Sequence, residues 1–292
     1  MTATNPIGIH ALVWVGDTSP ASVSTAIART RETGYDLLEF SLHDSVALDT
    51  ARARAELAAA GLAVACSRGL APDADVSATD PAVVARGADL LHRSVQVTHD
   101  LGGQLLTGAL YSAFRKYDHP VSAAGRANIV AVLREVALEA ARLDVVLGLE
   151  VCNRYETNVL NTAHDALRLA DDVGADNVVI HLDSYHMNIE EDDFERPFRE
   201  VGDRLGYVHV GENHRGHLGT GHIDFDQFFA TLVDIGYAGP VTFESFSSAV
   251  VMPGLSSDLA VWRDLWTDGT ELATRARAFI AGHLTTPSGQ PG

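Results

Sequence analysis

The sequence predicts a single-domain α/β protein with the (β/α)8 architecture of a TIM barrel. Short apolar runs alternate with longer stretches of helical periodicity along the chain. Glycines stand where the intervening helices would end, at Gly34, Gly61, Gly102, Gly174 and Gly236. Strands that alternate with helices form parallel βαβ units, and eight such units within 292 residues fit one closed barrel. A doubly wound open sheet is the alternative fold.

The predicted elements follow one another in a regular order. The strands are residues 7–15, 37–40, 63–67, 104–108, 145–150, 178–183, 207–210 and 241–244. The helices are residues 19–33, 50–60, 81–101, 122–143, 162–173, 193–201, 226–235 and 255–284. No linker or low-complexity segment interrupts this order, so we expect one domain over residues 1–284. The Pro-, Gly- and Ser-rich residues 285–292 are expected to form a flexible tail.

The charge balance argues against two kinds of chemistry. Asp and Glu total 39 against 21 Lys and Arg, which gives a formal net charge of −18. Nucleic-acid-binding proteins normally carry a basic surface, because phosphate neutralisation supplies much of their affinity, so we expect no nucleic-acid partner. Lys116 is the only lysine, and it lies in the loop FRKYDHP, away from any strand end. A Schiff-base mechanism, which needs a lysine amine, is therefore disfavoured.

The sequence indicates neither a membrane protein nor an exported one. No apolar run approaches the roughly 18 residues of a membrane span. The N-terminal residues lack the basic and long apolar regions of a signal peptide. The two cysteines, Cys66 and Cys152, form neither a disulfide framework nor a zinc motif. We expect a cytoplasmic protein with two reduced thiols and no membrane partner.

Four consecutive predicted strands each carry, at or near the end, a side chain that can bind a metal ion. They are Glu150, Asp183, His209 and Glu244. Each carboxylate alone could cap a helix or pair with an arginine. Together they fall at the carboxyl ends of the strands, where barrels of this type carry their active sites. Because buried charges need partners, we interpret the four as ligands of one ion. Three carboxylates and one imidazole favour Mn²⁺, Mg²⁺ or Co²⁺ over a thiolate-type zinc site.

Further polar residues follow the same strand ends. Glu156 follows the fifth strand, His186 the sixth, and Arg215 lies in the glycine-rich loop after the seventh. Glu156 and Arg215 are candidates for the site or for a surface ion pair, and His186 is a candidate site residue or a solvent-facing loop residue. His181 lies two residues before Asp183 and therefore faces the same side of its strand. We expect it inside the barrel, bonded to a neighbour.

Several long segments carry a resemblance to a known family. They are YDLLEFSL (35–42), EVCNRYETNVLNT (150–162), HLDSYHMNIEE (181–191), HVGENHRGHLGTG (209–221), ESFSSAVV (244–251) and LAVWRDLW (259–266). In these segments, and over nearly its whole length, the chain resembles the ketose 3-epimerases. That family includes the D-tagatose and D-allulose (psicose) 3-epimerases and lies within the xylose-isomerase-like TIM barrels. The resemblance implies a homodimer or homotetramer that acts on a small ketose.

The resemblance also assigns roles to residues. It implies that the four strand-end residues bind one divalent ion, usually Mn²⁺, Co²⁺ or Mg²⁺. It implies that Glu156, His186 and Arg215 bind the C1–C3 end of an open-chain ketose. Aromatic positions of the family fall on Trp14, in the first predicted strand, and on Tyr111, after the fourth, and the resemblance makes both candidate substrate-binding residues.

Two positions bear on the walls of the expected pocket. Cys66, at the end of the third strand, is a candidate substrate-binding residue that would pack against the site, or else a plain core thiol. Some relatives have a tryptophan after the fourth strand, where this chain has Ser112, Ala113 and Phe114. We therefore expect the pocket over the distal sugar carbons to differ from theirs.

The implied activity is the interconversion of free ketoses at C3, for example D-fructose with D-allulose or D-tagatose with D-sorbose. The proton on C3 must leave from one face and return to the other, through an enediolate that a metal ion can stabilise. Two opposed acid–base groups are needed. Glu150 and Glu244, on the fifth and eighth strands, are the candidates, and their roles would exchange with the direction of reaction.

Three rival functions use the same type of fold. An aldose–ketose isomerase would use the same metal site but move a proton between C1 and C2. An abasic-site endonuclease would need a cluster of three metals, more histidine ligands and a basic surface, which the charge of −18 does not favour. A non-catalytic sugar-binding barrel would be expected to lack metal ligands, and none is missing here.

Overall fold

The predicted strands form one closed parallel barrel. The computed structural model describes residues 5–42, 48–251, 256–257 and 259–285. Each strand pairs with its neighbours in the chain, and the eighth pairs with the first, with Val241 opposite Ile7. The strands are β1 Ile7–His10, β2 Leu37–Ser41, β3 Ala63–Ser67, β4 Leu105–Gly108, β5 Val146–Glu150, β6 Val178–Asp183, β7 Leu205–Val210 and β8 Val241–Phe243. The prediction of a single-domain (β/α)8 barrel is confirmed, and the open sheet is wrong.

Helices connect the strands, as the alternating pattern predicted. They are α1 Pro20–Glu32, α2 Thr50–Ala60, α3 Pro81–Leu101, α4 Ala123–Arg142, α5 Ala163–Val173, α6 Ser184–Glu190, α7 Glu195–Val201, α8 Phe225–Asp234 and α9 Gly269–Thr285. The five glycines predicted to end helices all have positive φ, which a residue with a Cβ adopts only with strain. No helix among the described residues has the length and apolar character needed to cross a bilayer.

Most boundaries agree with the prediction to within one or two residues, and three differences are larger. The first strand stops at His10, because its Nδ1 accepts the amide N–H of Leu12 at 3.2 Å and starts a 3₁₀ turn, Ala11–Val13. The short helix α6 was not predicted; it begins where the Asp183 carboxylate accepts the amide N–H of Tyr185 at 2.7 Å. The last helix begins at residue 269, not at 255. Residues 1–4 and 286–292, the latter nearly all of the predicted tail, lie outside the described residues.

Two glycines make room for polar side chains inside the barrel. A Cβ on Gly8 would lie 2.3 Å from Oγ1 of Thr242, and one on Gly148 would lie 2.6 Å from Oγ1 of Thr107. The Thr107 hydroxyl lies 2.8 Å from Nδ1 of His181, so the prediction of an interior histidine bonded to a neighbour is confirmed. These close approaches let the barrel hold a polar layer beneath the rim that carries the candidate site.

Candidate metal centre and active site

The strand-end residues meet at the carboxyl rim of the barrel. Glu150 and Asp183 are the last residues of β5 and β6, His209 is the penultimate residue of β7, and Glu244 directly follows β8. All four are buried. Nδ1 of His209 lies 3.5 Å from Oε1 of Glu244 and 3.9 Å from Oε1 of Glu150. Donor atoms of Asp183, His209 and Glu244 lie within 4.8 Å of one another.

The orientation of His209 is set from below the rim by Glu39. Oε2 of Glu39, on β2, lies 2.7 Å from Nε2 of His209 and accepts the hydroxyl of Tyr207 at 2.8 Å. Nδ1 of His209 is buried and has no hydrogen-bond partner among the described residues. An unpartnered imidazole nitrogen beside three carboxylates fits a divalent cation, and a carboxylate behind a ligating histidine is the usual support for one. The described residues thus contain a buried Glu, His and Asp site able to bind a metal ion.

The electrostatics of the rim favour a positive charge there. Burial, reinforced by the carboxylates of Glu244 and Asp183, raises the pKa of Glu150 well above its usual value. Burial lowers the pKa of His209, but Glu39 and Glu244 outweigh that effect and raise it to about 10. Nearby carboxylates contribute to both shifts, so additional positive charge would stabilise the rim. A bound cation would supply that charge.

A second group of side chains lies beside the first. His186, on α6, is buried, and its Nε2 lies 3.6 Å from Oε1 of Glu150, 3.6 Å from Oε2 of Glu156 and 3.7 Å from Oδ2 of Asp183. Burial raises the pKa of Glu156 to about 7. The alternative of a solvent-facing loop position for His186 is wrong, since the residue lies in a helix and is only 2% exposed.

Arg215 completes the polar wall of the site. Its Nη1 donates to Oε2 of Glu244 at 2.7 Å and to Oδ2 of Asp183 at 3.3 Å. The guanidinium carbon lies 3.8 Å from the ring centroid of Tyr185 and 5.0 Å from that of Phe246. Burial lowers the pKa of Arg215, but the two carboxylates outweigh it and raise that pKa. The backbone of Arg215 has φ of 60°, a conformation that non-glycine residues adopt mainly under local constraint.

These residues surround one cavity of about 260 Å³. This volume lies near the lower end of the range for small-molecule sites, about 300–1,000 Å³. The polar lining includes His10, Ser67, Glu150, Glu156, His186, His209, Arg215 and Glu244. The other part of the lining includes Leu12, Leu70, Pro72, Phe114, Phe246 and Leu259, with Arg68 and Arg115.

Three residues predicted to contact a substrate are not among the cavity's lining residues. The indole N–H of Trp14, which follows the 3₁₀ turn, donates to Oγ1 of Thr30 on α1 at 3.0 Å. The hydroxyl of Tyr111 donates to the backbone oxygen of Glu150 at 2.6 Å, so Tyr111 supports β5 from behind. The Cys66 thiol is buried, and burial raises its pKa to about 12 despite a hydrogen bond with Thr98 on α3.

Three buried residues of the site were not predicted from the sequence. Glu39 supports His209, His10 lines the cavity, and Asn153 contacts His186. One sequence feature could have indicated Glu39, because it places a carboxylate within the otherwise apolar strand LLEFS. A charge in such a strand is buried at a cost unless it has a specific partner. No comparable feature indicated the role of Asn153, because asparagine is common in loops.

Comparison with known proteins defines the class to which this fold and site belong. The family model described as xylose isomerase-like TIM barrel matches residues 27–270. A ketose 3-epimerase from Arthrobacter globiformis is 50% identical over 279 residues, which cover 96% of each chain. An L-ribulose 3-epimerase from Methylomonas sp. is 48% identical, over 94% of this chain and 96% of the relative.

A solved structure agrees with these relatives. It is the D-allulose 3-epimerase of Methylomonas sp. in complex with D-allulose, with a TM-score of 0.94 and 47% identity over 96% of this chain and 98% of that one. The chain therefore belongs to the ketose 3-epimerases of the xylose isomerase-like TIM barrel family.

Proposed function

We propose that this chain is a metal-dependent epimerase that inverts C3 of free ketoses such as D-fructose, D-allulose, D-tagatose and D-sorbose. One observation carries the proposal. The carboxylates of Glu150, at the end of β5, and Glu244, directly after β8, line the same cavity, and their Oε1 atoms lie 3.9 and 3.5 Å from Nδ1 of His209. Epimerisation removes a proton from one face of C3 and delivers a proton to the other face, and therefore requires an acid–base group on each side.

Four residues would hold the metal ion, namely Glu150, Asp183, His209 and Glu244. Their mainly oxygen donor set supports Mn²⁺, with Co²⁺ and Mg²⁺ as further candidates. When bound, such an ion supplies a Lewis acid that makes the proton next to a carbonyl easier to remove. The unpartnered Nδ1 of His209 supports this assignment.

Side chains of this protein transfer the proton and bind the sugar oxygens. One of Glu150 and Glu244 takes the C3 proton, and the other delivers a proton to the opposite face of the planar enediolate. The roles exchange when the reaction runs in reverse, so either epimer is a substrate. Glu244 accepts a hydrogen bond from Arg215, which holds the carboxylate in place at the cavity wall.

Glu156, His186 and Arg215 bind the C1–C3 end of the sugar in this proposal. Arg215 offers guanidinium N–H groups, His186 offers a ring N–H, and Glu156 accepts a sugar hydroxyl. Donors placed where negative charge develops on oxygen lower the barrier, because they are already oriented. Phe114 and Leu70 would contact the distal carbons. In this proposal Trp14, Tyr111 and Cys66 support the residues that line the cavity and do not contact the substrate.

The remaining parts of the proposal concern the whole protein. We propose a homodimer or homotetramer in the cytoplasm, with one barrel domain spanning residues 1–284; Thr285, the first residue of the predicted tail, is instead the last residue of α9. The state of both cysteines, free and buried, supports a reducing compartment. Light scattering coupled to size exclusion measures the number of subunits directly.

A product analysis tests the function. The Mn²⁺-loaded protein is incubated in D₂O with a panel of free ketohexoses and ketopentoses, and the products are separated and examined by NMR. The proposal predicts the C3 epimer of each accepted ketose, with deuterium at C3. An aldose with deuterium at C1 or C2 would show an aldose–ketose isomerase instead, and the absence of any product across the panel would overturn the proposal.

A further inference from the structure

The loop after β5 contacts α6 through one buried side chain. Nδ2 of Asn153 lies 2.9 Å from Nδ1 of His186 and donates to Oε1 of Glu156 at 3.0 Å. The backbone N–H of Asn153 also donates to the same ring nitrogen, at 3.2 Å. Asn153 is 1% exposed and is not among the residues that line the cavity. It therefore contacts two predicted sugar-binding groups without facing the sugar.

The orientation of the Asn153 amide follows from its other contact. Its Oδ1 accepts the backbone N–H of Tyr155 at 2.9 Å. An amide oxygen can fill that place, and an NH₂ group cannot, because a backbone N–H needs an acceptor. The NH₂ group must therefore face His186 and Glu156, and the usual uncertainty between the two amide ends does not arise.

The contacts at Nδ1 decide where the ring proton of His186 lies. Nδ1 faces two N–H donors, the backbone and side-chain groups of Asn153, so it must be the unprotonated nitrogen. The single ring proton is then on Nε2. That nitrogen lies on the cavity side, 3.6 Å from carboxylate oxygens of both Glu150 and Glu156.

We propose that Asn153 is a positioning residue of the epimerase: it fixes His186 as a neutral ring that donates from Nε2, and it orients Glu156. The proposal rests on the function proposed above, because a donor at Nε2 matters only if a sugar oxygen receives its proton. The opposite tautomer would present a lone pair to an oxygen that gains negative charge, which would oppose the reaction.

The second half of the role concerns Glu156. Asn153 holds Oε1 of Glu156 by a hydrogen bond, while Oε2 is buried, 3.6 Å from Nε2 of His186, and has no hydrogen-bond partner among the described residues. The unpartnered oxygen is the one that can accept a sugar hydroxyl. One amide group thus places a donor and an acceptor side by side.

Histidine tautomers can be measured without reference to activity. The protein is labelled with ¹⁵N at its 13 histidines and loaded with diamagnetic Mg²⁺, and the ring signals of His186 are assigned by their loss in His186→Gln. The wild type should show a protonated Nε2 and an unprotonated, hydrogen-bond-accepting Nδ1. A wild-type ring protonated at Nδ1 would overturn the proposal at once.

Two substitutions at position 153 separate the amide from the backbone donor. In Asn153→Asp an acceptor replaces the NH₂ group, so we expect a proton at Nδ1 of His186 and a loss of kcat of about 100-fold, the usual cost of one oriented donor. In Asn153→Ala the backbone N–H remains, so the tautomer should stay, while KM rises because Glu156 loses its partner. An Asn153→Asp enzyme with the wild-type tautomer, or with wild-type kcat and KM, would contradict the proposal.

A matched control in the same loop tests for a merely structural effect. Nδ2 of Asn161 donates to the backbone oxygens of Cys152 and Thr157, at 2.9 and 3.2 Å. Asn161→Asp should lower stability and leave the His186 signals where they are; an equal change in both variants would mean that Asn153 only holds the loop. A wild type that turns over no ketose would overturn the proposed function, whereas the ring signals decide the role of Asn153 independently.

Discussion

Oε2 of Glu39 lies 2.7 Å from Nε2 of His209, so a carboxylate on β2 sets the direction in which a histidine on β7 offers its other nitrogen. Glu39 is fully buried, and its carboxylate also lies near His10, with Oε1 3.5 Å from that ring's Nε2. Burial raises the pKa of Glu39, but His209 and His10 outweigh that effect and lower it. The residue therefore remains ionised inside the barrel and supports the proposed metal site from below.

Glu39→Gln should weaken metal binding. The glutamine can still accept a hydrogen bond from His209 but brings no negative charge, and loss of such support usually costs about 10–100-fold in affinity. Calorimetric titration of the metal-free protein with Mn²⁺ measures the change. Glu56→Gln, at an exposed pair with Arg52 on α2, is the control and should bind like the wild type. Equal affinity of Glu39→Gln and wild type would refute the supporting role.

Arg215→Lys should impair catalysis while leaving the fold intact. A lysine cannot stack its charge between Tyr185 and Phe246 or hold the same two carboxylates with a planar group. We expect kcat/KM to fall by about tenfold or more. Steady-state kinetics and thermal melting, with the surface variant Arg199→Lys as control, separate activity from stability. A wild-type kcat/KM in Arg215→Lys would show that catalysis does not depend on the guanidinium group of Arg215.

Glu156 makes a testable contribution to the pH dependence of stability. Burial raises its pKa from the usual 4.5 to about 7, so the folded chain holds this proton more tightly than the unfolded chain does. The stabilisation that the Glu156 proton adds to the free energy of unfolding is thus fully present below about pH 4.5 and is lost as the pH rises to about 7. Urea unfolding of the metal-free protein at about pH 5 and pH 8 measures that loss.

The variant Glu156→Gln should lose less stability over this pH interval than the wild type, since the amide does not titrate. Glu135→Gln, at an exposed position on α4, should behave like the wild type. The same loss in Glu156→Gln as in the wild type would show that this carboxyl is not perturbed in the folded protein.

Both thiols should be unreactive in the folded protein. Cys66 and Cys152 are fully buried, and burial raises the pKa of each, to about 12 for Cys66. Because only the thiolate attacks a disulfide reagent, native protein at about pH 8 should react far more slowly than protein in urea. Titration with an aromatic disulfide should find two thiols per chain after unfolding. Fast reaction of the native protein would show an accessible thiol.

The barrel and its rim could be predicted because they depend on local patterns. Apolar runs, helical periodicity and glycine stops are each read within about a dozen residues. Once parallel strands are assumed, side chains at the strand ends must share one rim. Glu150, Asp183, His209 and Glu244 followed from that geometry alone.

Contacts between distant strands could not be predicted in the same way. Glu39 and His209 are 170 positions apart, and they meet only because the barrel closes. The placement of Trp14 failed for a local reason. The apolar run 7–15 was extended as a strand, whereas His10 starts a 3₁₀ turn that ends the strand and leaves Trp14 bonded to α1. Loop contacts such as those of Asn153 depend on side-chain geometry that no periodicity encodes.

In the proposed mechanism Glu150 and Glu244 are the two acid–base groups at C3 of a ketose, one removing a proton and the other delivering one to the opposite face. The most direct measurement follows deuterium at C3 of D-fructose and D-allulose in D₂O, catalysed by wild type, Glu150→Gln and Glu244→Gln with Mn²⁺ bound. Each variant should lose epimerisation, and any hydrogen exchange that one of them keeps should occur on one face of C3 only, without inversion. Near-wild-type epimerisation by either variant would contradict the two-carboxylate mechanism.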